Sequence, residues 1–159
     1  MSFEDSLQVA VRELSGLTVL LVEDHDDSRD FLIALLEQLG ANTLSAASAA
    51  EGFALLQLRR PHVMVSDLGL PDEDGCSLMR RIRNLAAADG GATPTIALTA
   101  FSTADDRARA LGAGYQIYLT KPVNLERFVE AIAAMARQVR ANQHPAAVSA
   151  RRAADQSER

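Results

Sequence analysis

The 159-residue chain has a single cysteine, few aromatic residues and no long apolar run. Its single cysteine, Cys76, excludes an intramolecular disulfide and a cysteine-rich zinc site. The longest strongly apolar runs, residues 17–22 and 131–136, are far too short to span a bilayer. The N-terminus lacks the basic start and apolar core of a signal peptide. We therefore expect a cytoplasmic protein without a membrane partner.

The charge balance is acidic, and lysine is nearly absent. Sixteen basic and 21 acidic residues give a formal net charge of −5, which disfavours a nucleic-acid binder with a broad basic face. Of the basic residues, only Lys121 is a lysine. With 48% hydrophobic residues, the length fits one domain with a substantial core.

Short apolar runs alternate with longer amphipathic ones. The short runs are too short for helices and are apolar throughout, as in strands buried on both faces. The amphipathic runs have apolar residues at helical spacing and end near glycine or proline, as at Gly40 and Pro61. The pattern predicts strands at residues 18–22, 42–46, 62–66, 94–98 and 116–119, and helices at 26–39, 49–60, 76–88, 103–111 and 125–139.

Strict alternation of strands and helices predicts one α/β domain, a doubly wound five-stranded parallel sheet with five helices over residues 16–140. Apolar residues in the N-terminal extension, residues 1–15, could form an extra helix. Residues 141–159 are rich in alanine, arginine and serine, which predicts a flexible tail. Ser48 with Glu51 is expected to form a capping box.

Polar side chains follow the ends of four predicted strands. Ligands of open parallel sheets bind outside the carboxyl ends of the strands, so these side chains are expected to converge at one edge. They are Glu23, Asp24, Asp67, Thr99 and Lys121.

Clustered carboxylates need a cation. Two like charges about 4 Å apart repel by about 4 kcal/mol at an effective dielectric near 20. Mg²⁺ suits oxygen ligands and keeps several of its waters. A metal, an ammonium and a hydroxyl around one aspartate favour a phosphoryl group held on that aspartate, and Asp67 is the best nucleophile candidate. Asp24 and Glu23 are then metal ligands.

Each residue also has a simpler interpretation. Asp26 and Asp27 fit an acidic first turn of a helix better than a ligand set. Thr99 could be an ordinary strand-end hydroxyl, and Lys121 a solvated lysine. The hypothesis of a site depends on all four strand ends together, and on the use of a compact lysine in a chain that otherwise uses arginine.

The chain resembles the receiver domain of two-component response regulators, the CheY-like family. The matching motifs come in the family's order and cover about residues 17–139. They are Val22-Glu23-Asp24, Asp67 to Gly75, Leu98-Thr99-Ala100, and Tyr118 to Pro122. The segments around Thr99 and Lys121 are also similar to the receivers of hybrid histidine kinases. The resemblance implies a flavodoxin-like sheet with strand order 2-1-3-4-5.

The resemblance also implies roles for individual residues. Asp67 would accept a phosphoryl group from a histidine kinase or a histidine phosphotransfer protein. Mg²⁺ would bind Glu23, Asp24, Asp67 and the carbonyl of Gly69. Thr99, Ala100 and Lys121 would contact the phosphoryl group. Thr99 and Tyr118 would form the switch, and the peptide before Pro122 would be cis. Gly69 and Phe101 stand at variable positions beside the phosphorylation site.

The implied signalling face comprises residues 103–113, 116–119 and 124–137. Arg107, Arg109, Asp105 and Asp106 on this face could also form a salt-bridged homodimer.

The expected function is a phosphorylation-dependent switch without an output domain, not an enzyme acting on a separate substrate. It could instead be the detached receiver of a hybrid kinase in a phosphorelay, or a receiver used only as a binding module. An aspartate-nucleophile phosphatase of the haloacid dehalogenase type is disfavoured, because it needs an Asp-x-Asp motif on its first strand. A DNA-binding regulator is also disfavoured, because the sequence shows neither a second domain nor a basic face.

Overall fold

Five parallel strands form one sheet in the computed structural model, which describes residues 2–143. The strands are β1 (Thr18–Val22), β2 (Asn42–Ala46), β3 (Val63–Ser66), β4 (Thr95–Thr99) and β5 (Ile117–Thr120). Their order across the sheet is β2-β1-β3-β4-β5, so both the fold class and the strand order are confirmed. In the central strands β3 and β4 every residue is buried, as expected for strands covered on both faces.

Six α-helices cover the two faces of this sheet. They are α1 (Phe3–Leu14), α2 (Asp26–Gln38), α3 (Ala49–Arg59), α4 (Gly75–Arg83), α5 (Ala104–Ala113) and α6 (Leu125–Asn142). The N-terminal helix α1 is therefore present. No helix among residues 2–143 is both long and apolar enough to cross a lipid bilayer. Residues 144–159, most of the predicted tail, lie outside the described part of the chain.

Each face of the sheet has its own apolar core. On one face, α1, α2 and α6 pack against alternate residues of the central strands, with Phe128 fully buried. On the other face, α3, α4 and α5 pack around Leu20, Met64 and Leu56. Because both faces are covered, the sheet presents polar side chains only at its strand ends and edges.

The helix predicted at residues 76–88 ends earlier in the structure. It ends at Arg83 and is followed by a short 3₁₀ helix, Ala87–Asp89. The Arg83 guanidinium is the physical reason, because it donates hydrogen bonds to the carbonyls of Gly91, Thr93 and Gly114 at 2.7–2.9 Å. These bonds hold the chain after α4 against β4 and the end of α5, instead of letting the helix continue.

The ends of two other helices differ in smaller ways from the prediction. The Ser48 hydroxyl accepts the Glu51 N–H at 3.2 Å, but the Glu51 carboxylate accepts from Ala47 N instead of closing the capping box. Helix α6 begins after the cap Asn124, as predicted, but runs three residues beyond position 139. The Arg140 guanidinium accounts for part of this extension, because it donates to the carbonyls of Glu13 and Ser15 at the end of α1.

Candidate functional site

Glu23 and Asp67 lie side by side because of the register between β1 and β3. Val22 pairs with Ser66, and the Asp67 N–H continues the ladder by donating to the Val22 carbonyl at 3.0 Å. The next residue on each strand is therefore an acid at the same edge of the sheet. Both side chains are nearly buried, with 2% of Glu23 and 8% of Asp67 exposed.

Lys121 joins these two carboxylates. Its Nζ lies 2.8 Å from Glu23 Oε2 and 2.9 Å from Asp67 Oδ2, although the residues are 98 and 54 positions apart in the chain. Burial lowers the pKa of Lys121, but hydrogen bonds and charges from Glu23 and Asp67 outweigh burial, so the net pKa is raised. The lysine is held as a cation between two anions, and its bond to Pro122 is cis, as expected.

Asp24 adds a third carboxylate to the same edge. Its Oδ1 is buried and accepts no hydrogen bond from the described residues. One ligand atom each from Glu23, Asp24, His25 and Asp67 lies within 4.8 Å of the others. With one lysine against three carboxylates, the group keeps a formal excess of two negative charges if all three are ionised. A buried, unsatisfied oxygen in such a group fits a hard divalent cation such as Mg²⁺.

His25 is also part of this group, although its sequence position alone did not indicate a role. Its Nδ1 lies 3.1 Å from Glu23 Oε1 and 3.3 Å from Asp24 Oδ1, without forming a hydrogen bond to the latter. The only signal in the sequence was its position directly after the two acids.

The loop after Asp67 returns to that side chain. The Gly69 N–H donates to Asp67 Oδ1 at 3.0 Å. A Cβ added to Gly69 would lie 3.4 Å from Phe101 Cζ, so the aromatic ring lies over this glycine beside Asp67. Further along the loop, Asp72 accepts the N–H groups of Ala49 and Ala50, both at 2.9 Å.

Thr99 and Tyr118 are both bonded to the backbone of Phe101. Thr99 is 1% exposed, and its Oγ1 accepts the Phe101 N–H at 3.2 Å. The half-buried Tyr118 donates its hydroxyl hydrogen to the Phe101 carbonyl. Burial, with a smaller contribution from the charge of Asp106, raises the pKa of this hydroxyl. Ala100 follows β4 directly and is exposed.

The face proposed for signalling contains a cavity of about 400 Å³. Tyr118 lines it together with Leu98, Arg107 and Arg127. Two of the charged residues considered for a homodimer have partners within the chain. Asp106 closes a capping box with Thr103, and Arg109 pairs with Asp74 at 3.3 Å.

Comparisons with known proteins agree on one family. The family model described as response regulator receiver domain matches residues 19–133. An uncharacterized 14.6 kDa protein of the sodA1 3′ region in Leptolyngbya boryana is 40% identical over 114 residues. The match covers 72% of this chain and 86% of that protein.

A transcriptional regulator and a solved receiver-domain structure are also similar to this chain. The virulence transcriptional regulatory protein PhoP of Shigella flexneri is 34% identical over 122 residues, which cover 77% of this chain and 53% of PhoP. This chain therefore spans about half the length of that regulator. The crystal structure of a CheY-like response regulator receiver domain protein from Methanospirillum hungatei JF-1 matches with a TM-score of 0.73 and 26% identity. That match covers 80% of this chain and 99% of that one.

Proposed function

Because the chain belongs to the response regulator receiver domain family, we propose that it is a phospho-aspartate switch whose acceptor is Asp67. Members of this family act in two-component signalling and are switches, not enzymes with a separate substrate. The phosphoryl donor would be a histidine kinase or a histidine phosphotransfer protein. The observation that carries the proposal is Lys121 Nζ bridging the carboxylates of Glu23 and Asp67 at one edge of the sheet.

The proposed transfer is a displacement at phosphorus. An Asp67 carboxylate oxygen attacks the phosphorus of the donor's phosphohistidine, a P–O bond forms, and the P–N bond breaks. The histidine nitrogen leaves with the electron pair of that bond. Lys121 and the Thr99 hydroxyl would then stabilise the phosphoryl oxygens, as electrostatic catalysis requires where charge develops. The Gly69 N–H keeps Asp67 oriented.

Glu23, Asp24, Asp67 and the Gly69 carbonyl would hold Mg²⁺. When bound, the ion would supply positive charge for the phosphoryl oxygens. Asp24 Oδ1 supports this assignment, because it is a buried oxygen without a hydrogen-bond partner among residues 2–143. Glu23 already accepts from Lys121 and His25, which suits a ligand that reaches the ion through water.

Phe101 would couple phosphorylation to the signalling face. A phosphoryl group adds a charge of about −1.5 to −2 and would attract the Thr99 hydroxyl hydrogen. The Thr99 hydroxyl would then turn towards the phosphoryl group and lose its hydrogen bond from the Phe101 N–H. The Tyr118 hydroxyl bonds the carbonyl of the same residue. A shift of Phe101 would therefore release Tyr118 towards the space that Thr99 vacates, and would change the cavity between α5 and α6. A downstream protein that binds this face would read the change.

Intact mass after incubation with acetyl phosphate and Mg²⁺ tests the proposal. We expect one phosphoryl adduct, labile to base, that is absent from Asp67→Asn and absent without Mg²⁺. Asp105→Asn, which changes an exposed acid on α5, is the matched control and should be modified like the unaltered chain. An adduct that persists in Asp67→Asn would contradict the assignment. No adduct together with no Mg²⁺ binding would favour a receiver fold used only as a binding module.

A further inference from the structure

His25 directs its imidazole to the acidic group and not to the helix that it precedes. It is the N-cap residue of α2, yet its side chain makes no capping hydrogen bond. Instead, Nδ1 lies 3.1 Å from Glu23 Oε1 and 3.3 Å from Asp24 Oδ1. The His25 backbone N–H also donates to Glu23 Oε1 at 3.2 Å, which fixes the start of the side chain beside the carboxylates.

One of these separations fits the ligand spacing of a zinc ion. In a tetrahedral zinc site with bonds of about 2.0–2.1 Å, ligand atoms lie about 3.3–3.4 Å apart. His25 Nδ1 lies 3.3 Å from Asp24 Oδ1, within this spacing, and 3.1 Å from Glu23 Oε1. All four ligand atoms lie within 4.8 Å of one another. Asp24 Oδ1 has no competing hydrogen bond among the described residues, and is therefore available to an ion.

The chemistry of the ligands distinguishes between metal ions. Mg²⁺ prefers oxygen ligands and water, whereas imidazole nitrogen suits first-row transition ions such as Zn²⁺. We propose that His25 is an additional protein ligand at this site, used by a transition ion and not by Mg²⁺. The proposal rests on the divalent-ion site of the proposed function and adds a nitrogen ligand to it. The site then takes Mg²⁺ through its carboxylates and Zn²⁺ through carboxylates plus His25.

A simpler role for His25 would be to hold Glu23 in place by hydrogen bonding. Loss of the imidazole would then disturb the carboxylates for every ion alike. A nitrogen ligand predicts a selective loss for the transition ion. The comparison between the two ions therefore separates the two roles.

The experiment is calorimetric titration of the full chain with Zn²⁺ and, separately, with Mg²⁺. His25→Gln keeps a polar side chain but removes the imidazole, and circular dichroism verifies that the variant is folded. We expect the Zn²⁺ affinity of His25→Gln to fall by about tenfold or more, and its Mg²⁺ affinity to stay nearly unchanged. His144→Ala, at a histidine outside the described residues, is the matched control for incidental zinc binding. It should leave the high-affinity Zn²⁺ step intact.

A second readout follows the ring itself. In nitrogen-15 spectra of the histidine side chains, Zn²⁺ should shift the His25 Nδ1 resonance strongly and Mg²⁺ should not. Equal losses for both ions, or an unchanged Zn²⁺ affinity in His25→Gln, would overturn the inference. If Mg²⁺ still binds and supports modification of Asp67 in that case, the proposed function stands and only the role of His25 fails. If neither ion binds the unaltered chain, both proposals fail.

Discussion

At the scale of single residues, the site depends on one ammonium group between two nearly buried carboxylates. Lys121 is about one-fifth exposed, and Glu23 and Asp67 are almost fully enclosed. Burial of these charges has a desolvation cost, which is offset only while each charge has a partner. Removing one partner therefore destabilises the folded protein by more than the intact pair stabilises it. The compact ammonium lies 2.8 Å from one carboxylate oxygen and 2.9 Å from the other. The wide planar guanidinium of an arginine would not reproduce this contact of one nitrogen with both acids.

Lys121→Met should lower the free energy of unfolding by about 3 kcal/mol in the absence of divalent ions, because two carboxylates are left without their cation. Urea unfolding at neutral pH measures the loss. The matched control is the double variant Glu23→Gln/Lys121→Met, in which one of the two unpaired carboxylates is also neutralised. We expect the double variant to be more stable than Lys121→Met alone. If Lys121→Met unfolds at the same urea concentration as the unaltered chain, the bridge does not contribute as described.

At the scale of secondary-structure elements, the loop after Asp67 is tied to the start of α3. The two carboxylate oxygens of Asp72 accept the N–H groups of Ala49 and Ala50, which have no partners within their own helix. A residue from the loop thus contributes to capping a helix more than twenty positions earlier in the chain. The contact holds the loop that carries Gly69 against the start of α3.

Asp72→Asn should lower the free energy of unfolding by about 1 kcal/mol at neutral pH, since the amide nitrogen cannot accept the second N–H. Hydrogen bonds from Ala50 and then Ala49 lower the pKa of Asp72 below its ordinary value of 3.8. The carboxylate therefore adds stability above pH 3.8, and this contribution is lost as the pH falls through the lowered pKa.

Urea unfolding over a range of pH values tests both parts of this prediction. The stability difference between the unaltered chain and Asp72→Asn should be constant near neutrality and should shrink at acid pH. Asp105→Asn, at an exposed acid in the first turn of α5, serves as the control and should show a smaller difference. A difference that grows as the pH falls would have the wrong sign for this contact.

At the scale of the whole molecule, the folded unit is larger than the segment that matches the family. The match covers residues 19–133, yet α1 lies before it and packs into the core on the α6 side of the sheet. Leu14 is fully buried there, and Arg140 of α6 bonds the carbonyls at the end of α1. The N-terminal helix is therefore part of the same packed structure as the receiver domain.

Leu14→Ala should lower the free energy of unfolding by about 3 kcal/mol, because it leaves a cavity in the shared core. Val11→Ala on the same helix is the matched control. Val11 is 44% exposed, so its truncation should change stability by only about 0.5 kcal/mol. Thermal unfolding, monitored by circular dichroism, measures the change in stability of each variant, and each is expected to unfold in a single transition. Equal small effects would mean that α1 is not part of the folded core.

The sequence predicted the architecture well because its signals were local and repeated. Uniformly apolar runs separated by amphipathic ones specify a parallel sheet covered on both faces, and the five strands lie within one residue of the predicted positions. The rule that parallel strands end at one edge predicted that Glu23, Asp67 and Lys121 would meet, and they are in contact. The chemical roles of these residues stay a prediction.

Contacts between distant polar groups could not be predicted in the same way. Arg83 looks like a surface residue at the basic end of an amphipathic helix, and only the folded chain brings Gly91, Thr93 and Gly114 within its reach. Asp72 looks like an ordinary turn residue until α3 lies beside it. His25 lies next to two acids in the sequence, but spacing alone does not tell whether the ring turns towards them or towards solvent.

The most direct test of the central claim is the chemical location of the phosphoryl group. After modification with acetyl phosphate and Mg²⁺, borohydride reduces an aspartyl phosphate to homoserine, and digestion followed by mass spectrometry identifies the altered residue. We predict homoserine at Asp67 alone, with the neighbouring Glu23 and Asp24 unchanged. Homoserine at another position, with Asp67 intact in a phosphorylated sample, would contradict the assignment of Asp67 as the acceptor.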